Sequence, residues 1–108
     1  MRIVFMGTPE FAVPSLEACV ETGNEVALVV TQPARARGRG QRIVASPIRQ
    51  RAEALGLPVL ETEKVNQEQD LARLRETDPD LVCVAAFGQL LSADVLAVPS
   101  GGCVNVHG

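Results

Sequence analysis

Short β-branched runs that alternate with segments of helical period leave this chain few architectures. Residues 2–6 read RIVFM and are stopped by Gly7-Thr8-Pro9; residues 25–30 read EVALVV; residues 80–87 read DLVCVAAF. Each run is short and rich in side chains that suit a buried, pleated surface. Residues 58–60 (PVL) and 102–106 (GCVNV) are predicted as two further strands. Between the first two strands, Phe11, Leu16, Cys19 and Val20 fall at helical spacing, and Gly23-Asn24 supplies the stop. Pro14 fits the first turn of that helix.

The remaining segments follow the same logic. Ser46 before Pro47 opens a helix that runs through IRQRAEAL and stops at Gly56, since Ser caps and a first-turn Pro gives up no hydrogen bond. Residues 66–76 form a polar amphipathic helix with Leu71 and Leu74 on its apolar face, and Ser92 caps a short helix through Val98. Residues 31–45 carry three glycines or prolines and no apolar period, and read as a long loop.

Strands alternating with helices imply an α/β fold: one doubly wound, mainly parallel sheet with right-handed crossovers, in the order 3-2-1-4-5. Apolar residues make up 46% of the 108, but aromatics only 3%, so the core is aliphatic, as in a sheet covered on both faces. The order reverses between strands one and four, and ligands bind at the carboxyl ends of strands beside such a reversal. Three segments distant in the chain meet there: Gly7-Thr8-Pro9, Phe87-Gly88-Gln89 and Asn105-Val106-His107.

Several functions are excluded or disfavoured by what the sequence contains. The first strand is followed by a single glycine in GTPEFA, where the dinucleotide fingerprint needs G-x-G-x-x-G for close approach of a pyrophosphate. Thr8 reads as a cap for the first helix. No apolar run has the length of a membrane span, and MRIVFMGTPE has no signal-peptide pattern. Cys19, Cys83 and Cys103 are odd in number and widely spaced among apolar residues, which is the pattern of reduced, buried thiols in a cytoplasmic protein and not of a metal site.

Charge is distributed unevenly. RARGRGQRIVASPIRQR, residues 35–51, holds six arginines and no acid, while the rest of the chain has four basic and thirteen acidic residues. Solvated surface normally mixes signs. Arginine forks separated by glycines suit a phosphate backbone, and with no aromatics nearby they would hold that backbone without stacking bases.

Asn105 and His107 alternate with Val104 and Val106, so both project to one side of the last strand. Asn donates to a developing oxyanion and His moves a proton near neutral pH, which together suit addition of a nucleophile to a carbonyl.

RIVFMGTPEFA, the loop TQPARARGRGQR with SPIR after it, VAAFGQLL and the closing GCVNVHG together resemble the methionyl-tRNA formyltransferase family over all 108 residues. The resemblance implies a Rossmann-like formyltransferase fold and transfer of a formyl group from 10-formyltetrahydrofolate to methionyl initiator tRNA, in translation initiation, without a metal. It also implies that Phe87, Gly88, Gln89, Leu90 and Leu91 line the folate pocket, through backbone groups and apolar contacts. Arg35, Arg37, Arg39 and Arg42 would contact tRNA, and Asn105 and His107 would be catalytic. Arg39, in G-R-G, separates this pattern from glycinamide ribonucleotide and sugar-nucleotide formyltransferases, which share N-x-H. The family continues past this point with S-L-L-P, an aspartate that orients the histidine, and a C-terminal barrel that binds tRNA. The 108 residues are therefore expected to be the N-terminal portion of a catalytic domain, truncated after about five strands and inactive alone, with an open edge at strand five. A folate-dependent transfer to another acceptor, or a noncatalytic RNA-binding module, is the alternative.

Overall fold

The computed structural model describes residues 1–37, 40 and 42–106. Seven strands and four helices follow in chain order: β1 (Arg2–Gly7), α1 (Val13–Glu21, entered through a 3-10 turn at Glu10–Ala12), β2 (Glu25–Thr31), β3 (Arg35–Arg37), β4 (Arg42–Val44), α2 (Pro47–Ala54), β5 (Val59–Glu61), α3 (Glu68–Thr77), β6 (Leu81–Ala85), α4 (Ala93–Leu96) and β7 (Cys103–Asn105). Five strands form one sheet in the order β5-β2-β1-β6-β7, and every pairing in it is parallel. Counting only these strands, the order is 3-2-1-4-5, the doubly wound arrangement expected from the strand–helix alternation.

The alternation of side chains divides the core into two layers. Ile3, Phe5, Val29, Cys83 and Ala85 face α1 and α2, where they meet Leu16, Ile48 and Ala52. Val4, Met6, Leu28, Val30 and Val82 face the other way, against Leu71, Leu74 and Val95. A register irregularity between Ile3 and Val4 lets Val26 and Val29 share one face although they are three positions apart, an effect of one extra residue in β2. Of the three thiols only Cys83 is buried; Cys19 and Cys103 are partly exposed at the edges of the two layers.

Local signals hold where they were strong. Pro14 lies in the first turn of α1. Ser46 caps α2 by accepting the Arg49 N–H at 3.0 Å, and its hydroxyl lies 2.7 Å from that of Thr31 in a buried pair. Ser46→Ala therefore removes a cap and leaves the Thr31 hydroxyl without this partner. The expected loss is about 1–2 kcal/mol of unfolding free energy, read from the urea midpoint; an unchanged midpoint would contradict the cap.

Other boundaries move for identifiable reasons. The helix expected from Asn66 begins at Glu68, because the Asn66 side chain is spent on the 86–92 loop instead. The short helix capped by Ser92 ends at Leu96 and not at Val98. The fourth sheet strand ends at Ala85 because Ala86 turns to a φ of 52°. The long loop expected over residues 31–45 is corrected most: it contains a two-stranded antiparallel hairpin, β3 against β4, with Arg35 opposite Val44 and Arg37 opposite Arg42.

Candidate functional site

The carboxyl ends of β6 and β7 and the 3-10 turn that follows β1 bound a cleft of ≈ 440 Å³. Phe11, Val84, Ala86, Gly88, Leu90 and Asn105 line it. Phe11 and Leu90 give it apolar walls, being 55% and 92% exposed. Val84 is partly open although it lies in a central strand, since nothing in the described chain covers that end of β6.

Asn105 ends β7 opposite Val84, and the following Val106 N–H donates to the Val84 carbonyl at 2.7 Å. Cys103 packs in the α3–α4 layer while Val106 packs in the α1–α2 layer, so strand alternation puts Asn105 on the side of Cys103. Its side chain is exposed, and among the described residues its amide takes no hydrogen-bond partner. His107 and Arg39 lie outside the described residues.

The 86–90 loop forms the opposite wall, and its shape is unusual. Ala86 at φ 52° and Gly88 at φ 92° are both left-handed, flanking Phe87. The conformation costs a residue with a Cβ about 1–2 kcal/mol. Two hydrogen bonds to the Phe87 carbonyl offset it: the Thr8 hydroxyl donates at 2.9 Å and the Gln32 amide at 3.3 Å. Each is worth about 0.5–1.5 kcal/mol net. Thr8 is thus not the helix cap that its position in the sequence implied; the 3-10 turn and α1 begin without a side-chain cap.

The five loop residues have different surroundings. The Phe87 ring is buried in the α3–α4 layer and Leu91 packs against that layer, so Phe87 faces the cleft with its backbone. Gln89 is engaged within the protein: its Nε2 donates to the Thr62 carbonyl at 2.8 Å and to Gln32 Oε1 at 3.1 Å, and its Oε1 accepts the Val65 N–H at 2.9 Å. Asn66 holds the far end by donating to the Leu90 carbonyl and accepting the Ser92 N–H, both at 2.8 Å. The N–H groups of Gly88, Gln89 and Leu90 meet no protein acceptor among the described residues. These donors belong to residues that line the cleft beside the apolar side chains of Phe11 and Leu90. Gln32, Thr62 and Asn66 were not legible as site residues, and Thr8 was legible at the rim but not its bond to Phe87, because their partners lie 24 to 79 positions away.

The arginine segment divides in two. Arg49 pairs with Glu53 at 2.7 Å and Glu61 at 2.6 Å, and Arg51 pairs with Glu17 at 2.9 Å, so both are committed to the body of the fold. The two carboxylates hold the Arg49 guanidinium above its usual pKa, Glu61 more strongly than Glu53. Arg35 and Arg42, on the hairpin, are exposed and form no ion pair among the described residues. Arg35 borders a second concavity with Thr8, Pro9, Gln32 and the back of the 86–88 turn, so the hairpin begins beside the loop that walls the cleft. Among the described residues no group of three or more His, Cys, Asp or Glu side chains could hold a metal ion, and no helix is long and apolar enough to cross a membrane.

A parallel sheet with one strand-end amide facing a left-handed turn defines a recognisable class. The family model for formyl transferase matches residues 1–108, and the chain belongs to that family. Within it, the methionyl-tRNA formyltransferase of Moorella thermoacetica is 50% identical over 107 residues, covering 99% of this chain and 34% of that protein. That of Geobacter metallireducens is 48% identical, with the same coverage. The chain spans about a third of the length of these curated relatives. In fold it is similar to the phosphoribosylglycinamide formyltransferase of Bacillus halodurans, with a TM-score of 0.71 at 19% identity, covering 99% of this chain and 56% of that one. The glycinamide ribonucleotide transformylase of Symbiobacterium toebii gives 0.68 at 19% identity, covering 99% and 51%.

Proposed function

We propose that this chain carries the donor cleft of a methionyl-tRNA formyltransferase, which moves a formyl group from 10-formyltetrahydrofolate to the α-amino group of methionine on initiator tRNA. The observation that supports this most is near-50% identity to proteins of that name across the whole chain, combined with an Asn105 amide at the cleft that has no partner among the described residues. The donor fits what the cleft offers. A flat heterocycle with amide-like edges can pair with the main-chain N–H groups of Gly88, Gln89 and Leu90 while Leu90 covers its face. Phe87 contributes main chain to this pocket, and Leu91 supports it from behind.

In the reaction the methionyl amine attacks the formyl carbon, and negative charge develops on the formyl oxygen. Asn105 donates a hydrogen bond to that oxygen, and a donor placed for the transition state lowers the barrier more than it improves binding. His107 stabilises the same oxyanion and carries the proton lost by the amine to the donor's N10 nitrogen, as the adduct collapses, the carbon–N10 bond breaks and tetrahydrofolate leaves. Arg35, Arg37 and Arg42 of the hairpin, together with Arg39, contact the phosphates of the tRNA acceptor region. An acceptor of this kind places the reaction in the cytoplasm.

The reading is tested in a completed form, this chain joined to the remaining two-thirds of the Moorella thermoacetica relative. It is expected to formylate methionyl initiator tRNA, whereas the 108-residue chain alone turns over negligibly. Formylation of glycinamide ribonucleotide or a sugar nucleotide in place of the tRNA would overturn the acceptor assignment. Arg35→Ala with Arg42→Ala should weaken tRNA binding and flatten its dependence on salt. Each lost phosphate contact reduces the logarithmic slope by roughly 0.7–0.9. An unchanged slope would remove the hairpin from the interface.

A further inference from the structure

Gln32, in the TQP that precedes the arginines, is a buried amide, 8% exposed. It follows the last residue of β2 and stands three residues before the arginine hairpin. Its main-chain N–H approaches the Thr8 hydroxyl at 3.4 Å, its Nε2 donates to the Phe87 carbonyl at 3.3 Å, and its Oε1 accepts from Gln89 at 3.1 Å. It therefore contacts all three pieces that set the wall of the cleft: the end of β1, the left-handed turn, and the Gln89 amide behind it. A Cβ built on Gly88 would come within 3.0 Å of Gln32 Nε2, so the turn rests directly on this side chain.

We infer that Gln32 is a positioning residue for formyl transfer, its amide fixing the 86–90 loop so that the loop's main-chain donors face the formyl donor. The inference rests on the donor-cleft reading above and adds to it the group that holds the wall in shape. Gln32 does not line the cleft itself, and its effect is exerted through Phe87 and Gln89. Phe87 is also held by Thr8, so the two donors share one acceptor and their removal should not be additive.

Gln32→Met keeps the length of the side chain but can neither donate to Phe87 nor accept well from Gln89. In the completed form it is expected to raise KM for the formyl donor about tenfold, the equivalent of one to two lost hydrogen bonds. KM for the tRNA should stay within about twofold, a split that a merely structural loss would not produce. In the 108-residue chain, hydrogen exchange at the Val65 amide should accelerate, because its acceptor is Gln89. Thr8→Val, nearly isosteric, is the second variant should Gln32→Met not fold, with a donor KM raised about threefold or more. If the completed wild-type form does not formylate methionyl-tRNA, the functional reading falls and this role with it. If it does, and both variants keep a wild-type donor KM, the positioning role alone is overturned.

Discussion

Asn105→Ala in the completed form should lower kcat by about 10²–10³-fold while leaving donor binding nearly intact. The expectation follows from where Asn105 sits: at the end of β7, exposed, on the wall of the cleft facing the 86–90 loop, with no partner among the described residues to satisfy its amide. An amide held this way, with no bond to break first, can meet charge that appears only as the amine adds. Losing one such donor costs about 2.7–4 kcal/mol of transition-state stabilisation. Because the interaction strengthens in the transition state, kcat and kcat/KM should fall together. Asn105→Asp is the sharper control, since it preserves shape while placing an anion where negative charge develops, and should be at least as impaired as alanine. Titration with a stable analogue of the donor should show affinity within a few-fold of wild type for both. Wild-type turnover in Asn105→Ala would end the assignment of Asn105 to catalysis.

The second large effect is on folding. Phe5 is fully buried in the middle of β1, opposite Val29 on one side and Cys83 on the other. Its ring fills the layer beneath α1 and α2, and of the chain's three aromatics it is the one buried there, Phe87 lying in the other layer and Phe11 being exposed. Phe5→Ala removes the contacts and leaves a void that aliphatic neighbours refill only in part, at a cost of about 3–5 kcal/mol. A domain of this size is stable by about 5–15 kcal/mol, so a large share of the margin is lost. Urea unfolding should show a lower midpoint with an unchanged slope, because the surface exposed on unfolding hardly differs. A loss below about 1 kcal/mol would show that the layer can close over the gap. The ring also braces the site: a Cβ at Gly7 would lie 2.8 Å from the Phe5 ring and 2.8 Å from the Ala85 carbonyl. The end of β1, from which Thr8 reaches the turn, is thus wedged between them.

What could be read from the sequence divides along the range of the interactions. Strand order, the Ser46 and Ser92 caps and the place of Pro14 depend on neighbours in the chain and on the periodicity of apolar residues, and they were legible. Topology also set Asn105 beside the 86–90 loop, whereas Thr8 and Pro9, expected in the same crevice, border the neighbouring concavity with Arg35. The β3–β4 hairpin was missed because its strands, RAR and RIV, are three residues long and lie on the surface, where no alternation of apolar and polar residues is required. Gln32, Asn66, the role of the Gln89 side chain and the bond from Thr8 to Phe87 were missed for the opposite reason. Their hydrogen bonds bridge different strand ends, and polar pairs of that kind leave no period in the sequence.

The central sheet also acts as a partition. Leu16 and Ile48 answer to one side of it, Leu71 and Leu74 to the other. Substitutions at Leu16 or Ile48 are thus felt first by α1 and α2, and they reach the Phe87 turn through Phe5, whose ring abuts the end of β1.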